Sequence, residues 1–329
     1  MSVAVASPRK TRRLALAILI ALFLAAVLAS AVFAQEPGTV KGTWSIELPA
    51  KRGRVALTMK RRGGGGHSWS STDMVPVADL KGFAPPASGN PVDVRFQIVR
   101  DAGSFTFEGQ SDNEVAWGKF LFAGNEAYAR ELEAQGHGSI SSDDLLSFAV
   151  HDVSRAFVRG LADLGYAKLS TDDLLSMAIH GATPAYVRAM RGLGFERLSP
   201  DDLVSMRIHG VSEEFVGEMR ALGYEDLTAD DLVSMRIHGV SAEFVRELEQ
   251  LGYRRVSADD LVSMRIHGVT PDYIRQMREI GISKMTVDDL VSMKIHGVSA
   301  EDARRVLRAD PSATADDLVS WKIHGGVRS

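Results

Sequence analysis

The sequence has no cysteine among its 329 residues, which excludes disulfides, thiolate metal sites and a lipid-modified cysteine, and leaves packing as the source of stability. It has no His-Glu-x-x-His segment, and its one glycine run, Gly63 to Gly66, lacks the Lys-Ser or Lys-Thr ending of a phosphate loop. That run lies between strand-like segments and reads as a hairpin tip. Basic charge is not in excess either: 38 Lys and Arg stand against 42 Asp and Glu. Long apolar runs are absent apart from Leu14 to Ala34, 21 residues preceded by Arg9, Lys10, Arg12 and Arg13.

That first segment, residues 1–34, has the layout of a secretory signal with its cut before Gln35, after the small-residue pattern Val32-Phe33-Ala34. It is also long enough to stay as an N-terminal membrane anchor. Either way the remainder is expected outside the cytoplasm, periplasmic or secreted, with the basic cluster inside. Removing the segment takes four basic residues and no acidic one, leaving 34 against 42 and a net charge of −8. Such a chain is a poor electrostatic partner for nucleic acid.

What is present is repetition. Asp-Asp-Leu recurs with first aspartates at Asp143, Asp172, Asp201, Asp230, Asp259, Asp288 and Asp316, a period of 29 with one residue dropped before the last copy. A fixed period of this size signals a solenoid. Each copy punctuates two short helices. Ser199 is an N-cap with Pro200 in the first turn, Asp202 reaches back to the free amides, and Gly210 closes the helix in the left-handed region. A second helix starts at Ser212 and stops at Gly223; Thr183-Pro184 and Thr270-Pro271 repeat the start signal. Helices this short are marginal alone and must stack. Phe215, Val216, Met219 and Leu222 give the second helix one apolar stripe, whereas Leu203, Val204, Met206 and Ile208 spread widely, as an inner helix covered on several sides would need. Residues 124–140 read as a half-repeat cap, and the last repeat is truncated, with Trp321 in the Met206 column.

Residues 38–123 differ. TWSIEL, RVALTMK, VDVRFQIV, SFTFEG and VAWGKFLF are short runs rich in Val, Phe, Thr and Trp between turn residues, and Arg100 to Gly103 reads as a hairpin turn. The predicted fold class is therefore α+β: a small antiparallel β domain over 38–123 followed by an α-solenoid of helix-turn-helix repeats over 124–329.

The candidate chemistry is one stripe repeated: Asp202, Ser205 and His209; Asp231, Ser234 and His238; Asp260, Ser263 and His267. The spacing i, i+3, i+7 puts each trio on one side of its helix. These residue types serve acyl transfer, but an enzyme needs one copy to break symmetry, and none does. Stacked helices about 8–10 Å apart also keep a histidine column from sharing zinc. No catalytic residue, metal or cofactor is expected. The reading is structural: a polar ladder in which each repeat hydrogen-bonds to the next. Arg207, Arg236, Arg265, Lys294 and Lys322 form a second column and Arg159, Arg188, Arg246, Arg275 and Arg304 a third; both are read as pairing with carboxylates across repeats, with a basic contact line for a partner, Arg207, Arg236, Arg265, Lys294 and Lys322, as the alternative.

The repeat HGVSEEFVGEMRALGYEDLTADDLVSMRIHGV resembles tandem repeats in extracytoplasmic regions of bacterial proteins, some of them members of the β-lactam-sensing membrane metallopeptidase family. The resemblance covers the repeat half and implies an exported bacterial protein linked to envelope sensing. It carries over no peptidase residue, because the zinc helix and the multiple spans are missing. Two functions follow. The first is an exported non-catalytic scaffold that binds another protein through the solenoid, with membrane contact only through residues 14–34 if uncleaved. The second is a sensory or ligand-binding module in which the β domain, with Trp44, Trp69 and Trp117, holds a small molecule or glycan.

Overall fold

Alternating apolar residues between turn formers produce six strands: β1 Thr39–Glu47, β2 Arg54–Arg62, β3 Ser68–Pro76, β4 Val92–Arg100, β5 Gly103–Ser111 and β6 Val115–Gly124. The structure, a computed structural model, describes residues 39–62, 68–84 and 90–325. The N-terminal segment 1–34, the glycine run and His67 lie outside the described residues. No helix among those described is long and apolar enough to cross a membrane.

All six strands pair antiparallel in the order β3-β2-β1-β6-β5-β4. Arg100 faces Gly103 across a two-residue turn, as the sequence predicts. The strand β3, SWSSTDMVP, is implied by the sequence only as the far side of the hairpin at Gly63 to Gly66 and is not among the named strand runs; it is an edge strand with one buried side chain, Val75, so it lacks the apolar alternation that marks the others. One face of the sheet carries the core: Trp44, Ile46, Leu57, Phe96, Phe105, Phe107, Phe120 and Phe122 are all buried. Phe96 and Phe107 stack at 4.5 Å between centroids, and Trp44 meets both edge-on at 5.0 and 5.7 Å. The Trp44 ring crosses a pair of facing glycines. Trp44 stands opposite Gly118, which stands opposite Gly109, and the indole Nε1 donates to the carbonyls of Lys119 (3.1 Å) and Glu108 (3.3 Å). A Cβ on Gly109 would lie 1.9 Å from the Trp117 carbonyl oxygen, and one on Gly118 would lie 2.0 Å from that of Glu108, so neither position accepts a side chain.

Fourteen helices follow between Glu126 and Ile323. The chain divides into two compact units, one ending at Arg155 and the other starting at Ala156. The first unit therefore holds the sheet together with the cap helix Glu126–Gln135 and the helix Ser142–Val150. The division falls later than the change in composition near residue 123. Within this unit Arg155 ties the hairpin to the cap helix, reaching Asp101 at 2.6 Å and Glu131 at 2.7 Å.

In the second unit the helix starts and stops stand where the caps place them. Ser199 caps Pro200–Ile208 in a reciprocal capping box with Asp202, and Gly210 follows with φ +71°. Ser212 caps Glu213–Ala221, and Gly223 follows with φ +87°. The first helices of successive repeats pack on one another, and so do the second helices. Between them run buried columns: Leu203, Leu232 and Leu261; Met206, Met235 and Met264; Val211, Val240 and Val269. The helical half is thus an α-helical repeat array.

Candidate functional site

The polar trios do not bridge neighbouring repeats. Asp202 accepts from the Ser199 amide at 2.9 Å and Asp231 from the Thr228 amide at 2.9 Å, each inside its own capping box. Asp260 has its amide held by the Ser257 hydroxyl at 3.1 Å. Ser205, Ser234 and Ser263 are half-buried; His209 and His238 are exposed at the helix C-caps and His267 partly so. Among the described residues, none of these nine side chains hydrogen-bonds to the next repeat. The expected ladder is corrected for a physical reason: an aspartate three residues after the cap satisfies its own helix start, and a histidine at the C-cap points beyond the packed face. Where imidazole bonding occurs it is local, His296 Nδ1 to the Ser292 carbonyl at 2.8 Å and His324 Nδ1 to that of Ser320 at 2.8 Å. His151, half-buried beside the sheet, has its pKa lowered by desolvation, with Asp73 opposing the shift.

The repeats are joined instead by aromatic and cationic side chains. Arg207 lies over the Tyr186 ring at 4.9 Å, Arg236 over Phe215 at 5.0 Å, Arg265 over Phe244 at 5.0 Å, and the Lys294 ammonium over Tyr273 at 4.9 Å. Lys322 closes the column with an ion pair to Asp302 at 2.7 Å. Burial opposes ionisation of Asp302, but bonds from Lys322 and Ser299 outweigh it and hold its pKa down at about 2. Of this column only Lys322 makes the carboxylate pair the sequence suggests; the others lie over rings of the preceding repeat, with Arg207, Arg236 and Arg265 still exposed at the surface. The Tyr186 hydroxyl donates to the Val211 carbonyl at 2.9 Å, and the Tyr273 hydroxyl to that of Val298 at 2.9 Å. Burial pushes the Tyr186 pKa up to about 12.

A second set of joints lies one turn beyond each second helix. Arg191 sits over Tyr166, Arg220 over Phe195 and Arg278 over Tyr253. Arg191 also donates to the Leu164 carbonyl and Arg278 to that of Leu251. The hydroxyls of Tyr166, Tyr224 and Tyr253 reach the carbonyls of Leu198, Val256 and Met285 at 2.7, 2.7 and 3.0 Å. The signal was available in the sequence as aromatics recurring with the 29-residue period. In the third basic column Arg246 meets Glu218 at 3.1 Å and Arg275 meets Glu247 at 3.3 Å, both across repeats.

What the array leaves open is an apolar column. Ile179, Ile208, Ile237, Ile266, Ile295 and Ile323 are 47% to 58% exposed, one in the last turn of the first helix of every Asp-Asp-Leu copy from the second onward. The expectation that this helix is covered on several sides is corrected: Leu203 and Met206 are enclosed, Val204 is half-buried, and Ile208 faces out. Val204 stands four residues before Ile208, and Asp201 seven before it, so the same surface carries a row of half-covered valines and a row of exposed aspartates. The patch is apolar along its length and rimmed by carboxylates.

A second feature is the outward face of the sheet. Of the three tryptophans expected in the β domain, Trp44 is core and Trp69 is half-buried, paired with Arg61. Trp117 is 38% exposed beside a cleft of about 870 Å³ lined by Asp93, Arg95, Glu108, Gln110 and Lys119. The three are not brought together. No group of three His, Cys, Asp or Glu residues suited to a metal ion occurs among the described residues. No protein-family model, curated protein or solved structure matches the chain.

Proposed function

We propose that the protein is a non-catalytic scaffold that binds another protein of the cell envelope through its helical array. One observation carries this reading: six isoleucines, about half exposed, repeat in register where a soluble surface would ordinarily carry polar residues. Neighbouring helices lie about 8–10 Å apart, so the column offers a partner regularly spaced apolar footholds. The flanking row of Asp201, Asp230, Asp259 and Asp288 favours a partner segment with basic residues beside its apolar ones. Placement in the envelope rests on the export signal read in residues 1–34.

Cross-linking in the native envelope followed by mass spectrometry tests this. A protein partner should be captured by the natural chain and lost from the triple variant Ile208→Asp, Ile237→Asp, Ile266→Asp. The variant should keep its melting temperature within a few degrees, because the side chains are already half in water. Undiminished capture by the variant, or no partner at all, sinks the reading.

A further inference from the structure

The outward face of the sheet carries a groove distinct from the isoleucine column. Two clefts, each about 870 Å³, open on it, and they adjoin at Lys41 and Lys119, which line both. At one end stand Lys60, Thr43, Ser68 and Ser70; at the other stands Trp117 with Asp93, Arg95, Glu108 and Gln110. The strand pairings account for the layout. Lys60 faces Thr43, Thr43 faces Lys119, and Lys119 faces Glu108, placing these side chains in one row across four strands.

The two ends differ in charge. Glu108 is paired with Arg95 at 3.2 Å and Gln110 bonds Asp93 at 3.4 Å, so the Trp117 end holds donors and acceptors in fixed places. At the other end Lys60 and Lys119 make no ion pair among the described residues, and the cleft there has no carboxylate in its lining. Residues 35–123 carry 11 basic and 9 acidic residues, whereas 124–329 carry 23 and 33, so the cationic groove lies in a part of the chain that is not acidic, unlike the helical array. An exposed indole flanked by carboxylates suits an uncharged, hydroxyl-bearing ring: the ring's C–H face stacks on the indole and its hydroxyls donate to Asp93 and Glu108. A phosphate at that end would be repelled. The unpaired lysines call for an anion further along the same ligand.

We propose that this groove binds an acidic glycan, its neutral sugar face on Trp117 and its carboxylate or phosphate substituent between Lys60 and Lys119. The proposal is independent of the partner of the array. Calorimetric titration of the full chain with oligogalacturonate, neutral dextran oligomers, inorganic phosphate and single-stranded DNA tests it. Oligogalacturonate should bind, with affinity falling about tenfold or more in Trp117→Ala and in Lys60→Glu/Lys119→Glu, and weakening with salt. Dextran should bind at least about tenfold more weakly, and phosphate alone should not compete at equal concentration. Trp117→Phe should retain binding within a few-fold, which separates stacking from misfolding. No binding of oligogalacturonate, equal binding by the folded variants, or tighter binding of DNA would each overturn the proposal.

Discussion

The sheet unit and the helical array solve the same problem of burial with opposite means. The sheet gathers aromatic rings from strands far apart in sequence: Trp44, Phe96, Phe107 and Phe120 span more than 70 positions yet meet in one cluster. The array uses Leu, Met and Val in columns, the same residue type buried once in every period. A single cluster fails as a whole when breached, whereas a column can fail one repeat at a time. Glycines also do different work. Gly109 and Gly118 permit backbone and indole to approach in the sheet, while Gly210 permits the left-handed turn that ends a helix.

The comparison is sharpest in core truncations. Trp44→Ala removes the ring that links three strands and two carbonyls and should cost about 3–5 kcal/mol, seen as a loss of protection from hydrogen exchange throughout residues 39–124. Met235→Ala should cost about 2–5 kcal/mol, but with lost protection confined to the repeats on either side of it. If Met235→Ala loosened the whole array uniformly, the column would be a single cooperative core and the contrast would fail.

Smaller effects test the joints. Tyr186→Phe removes the hydroxyl bond to Val211 and should cost about 0.5–1.5 kcal/mol in denaturant unfolding; the sequence itself places phenylalanine in this column at Phe215 and Phe244. Because the folded pKa of Tyr186 is raised to about 12 from an ordinary 10.0, its contribution is full below pH 10 and disappears as pH rises through about 12. The alkaline limb of the melting curve should therefore flatten in Tyr186→Phe.

In the sheet unit the corresponding lever is acid. His151 has a folded pKa below its unfolded 6.5, so the unfolded state takes up protons first, and the stability present above 6.5 is lost as pH falls through the folded value. His151→Gln should remove that part of the acid limb in thermal melts. The smallest effect is expected at His238→Ala, within about 0.5 kcal/mol, because the imidazole is exposed and bonds to no neighbouring repeat. A larger loss there would restore the polar ladder.

Much of this was legible before folding because it is local. The capping box of Ser199 with Asp202, the stop at Gly210 and the hairpin at Arg100–Gly103 depend on residues no more than four apart, and each stands where the sequence places it. The strand β3 was legible only through the glycine run before it, read as a hairpin tip, since its own residues are polar and its pairing with β2 makes it a strand. The site was legible as columns but not as roles. Period and spacing put Asp, Ser and His on one helix side and Arg207 on another; they do not tell which side meets the next repeat.

By itself the sequence determined the α+β order, the 29-residue repeat and the ends of its helices, because caps and turns are decided by near neighbours along the chain. Only the tertiary structure decided that Arg207 grips Tyr186, that His209 faces water and that Ile208 is left uncovered. Those outcomes depend on the angle at which one helix pair meets the next, a quantity set by the packing of Leu203, Met206 and Val211 across repeats and written in no single one of them.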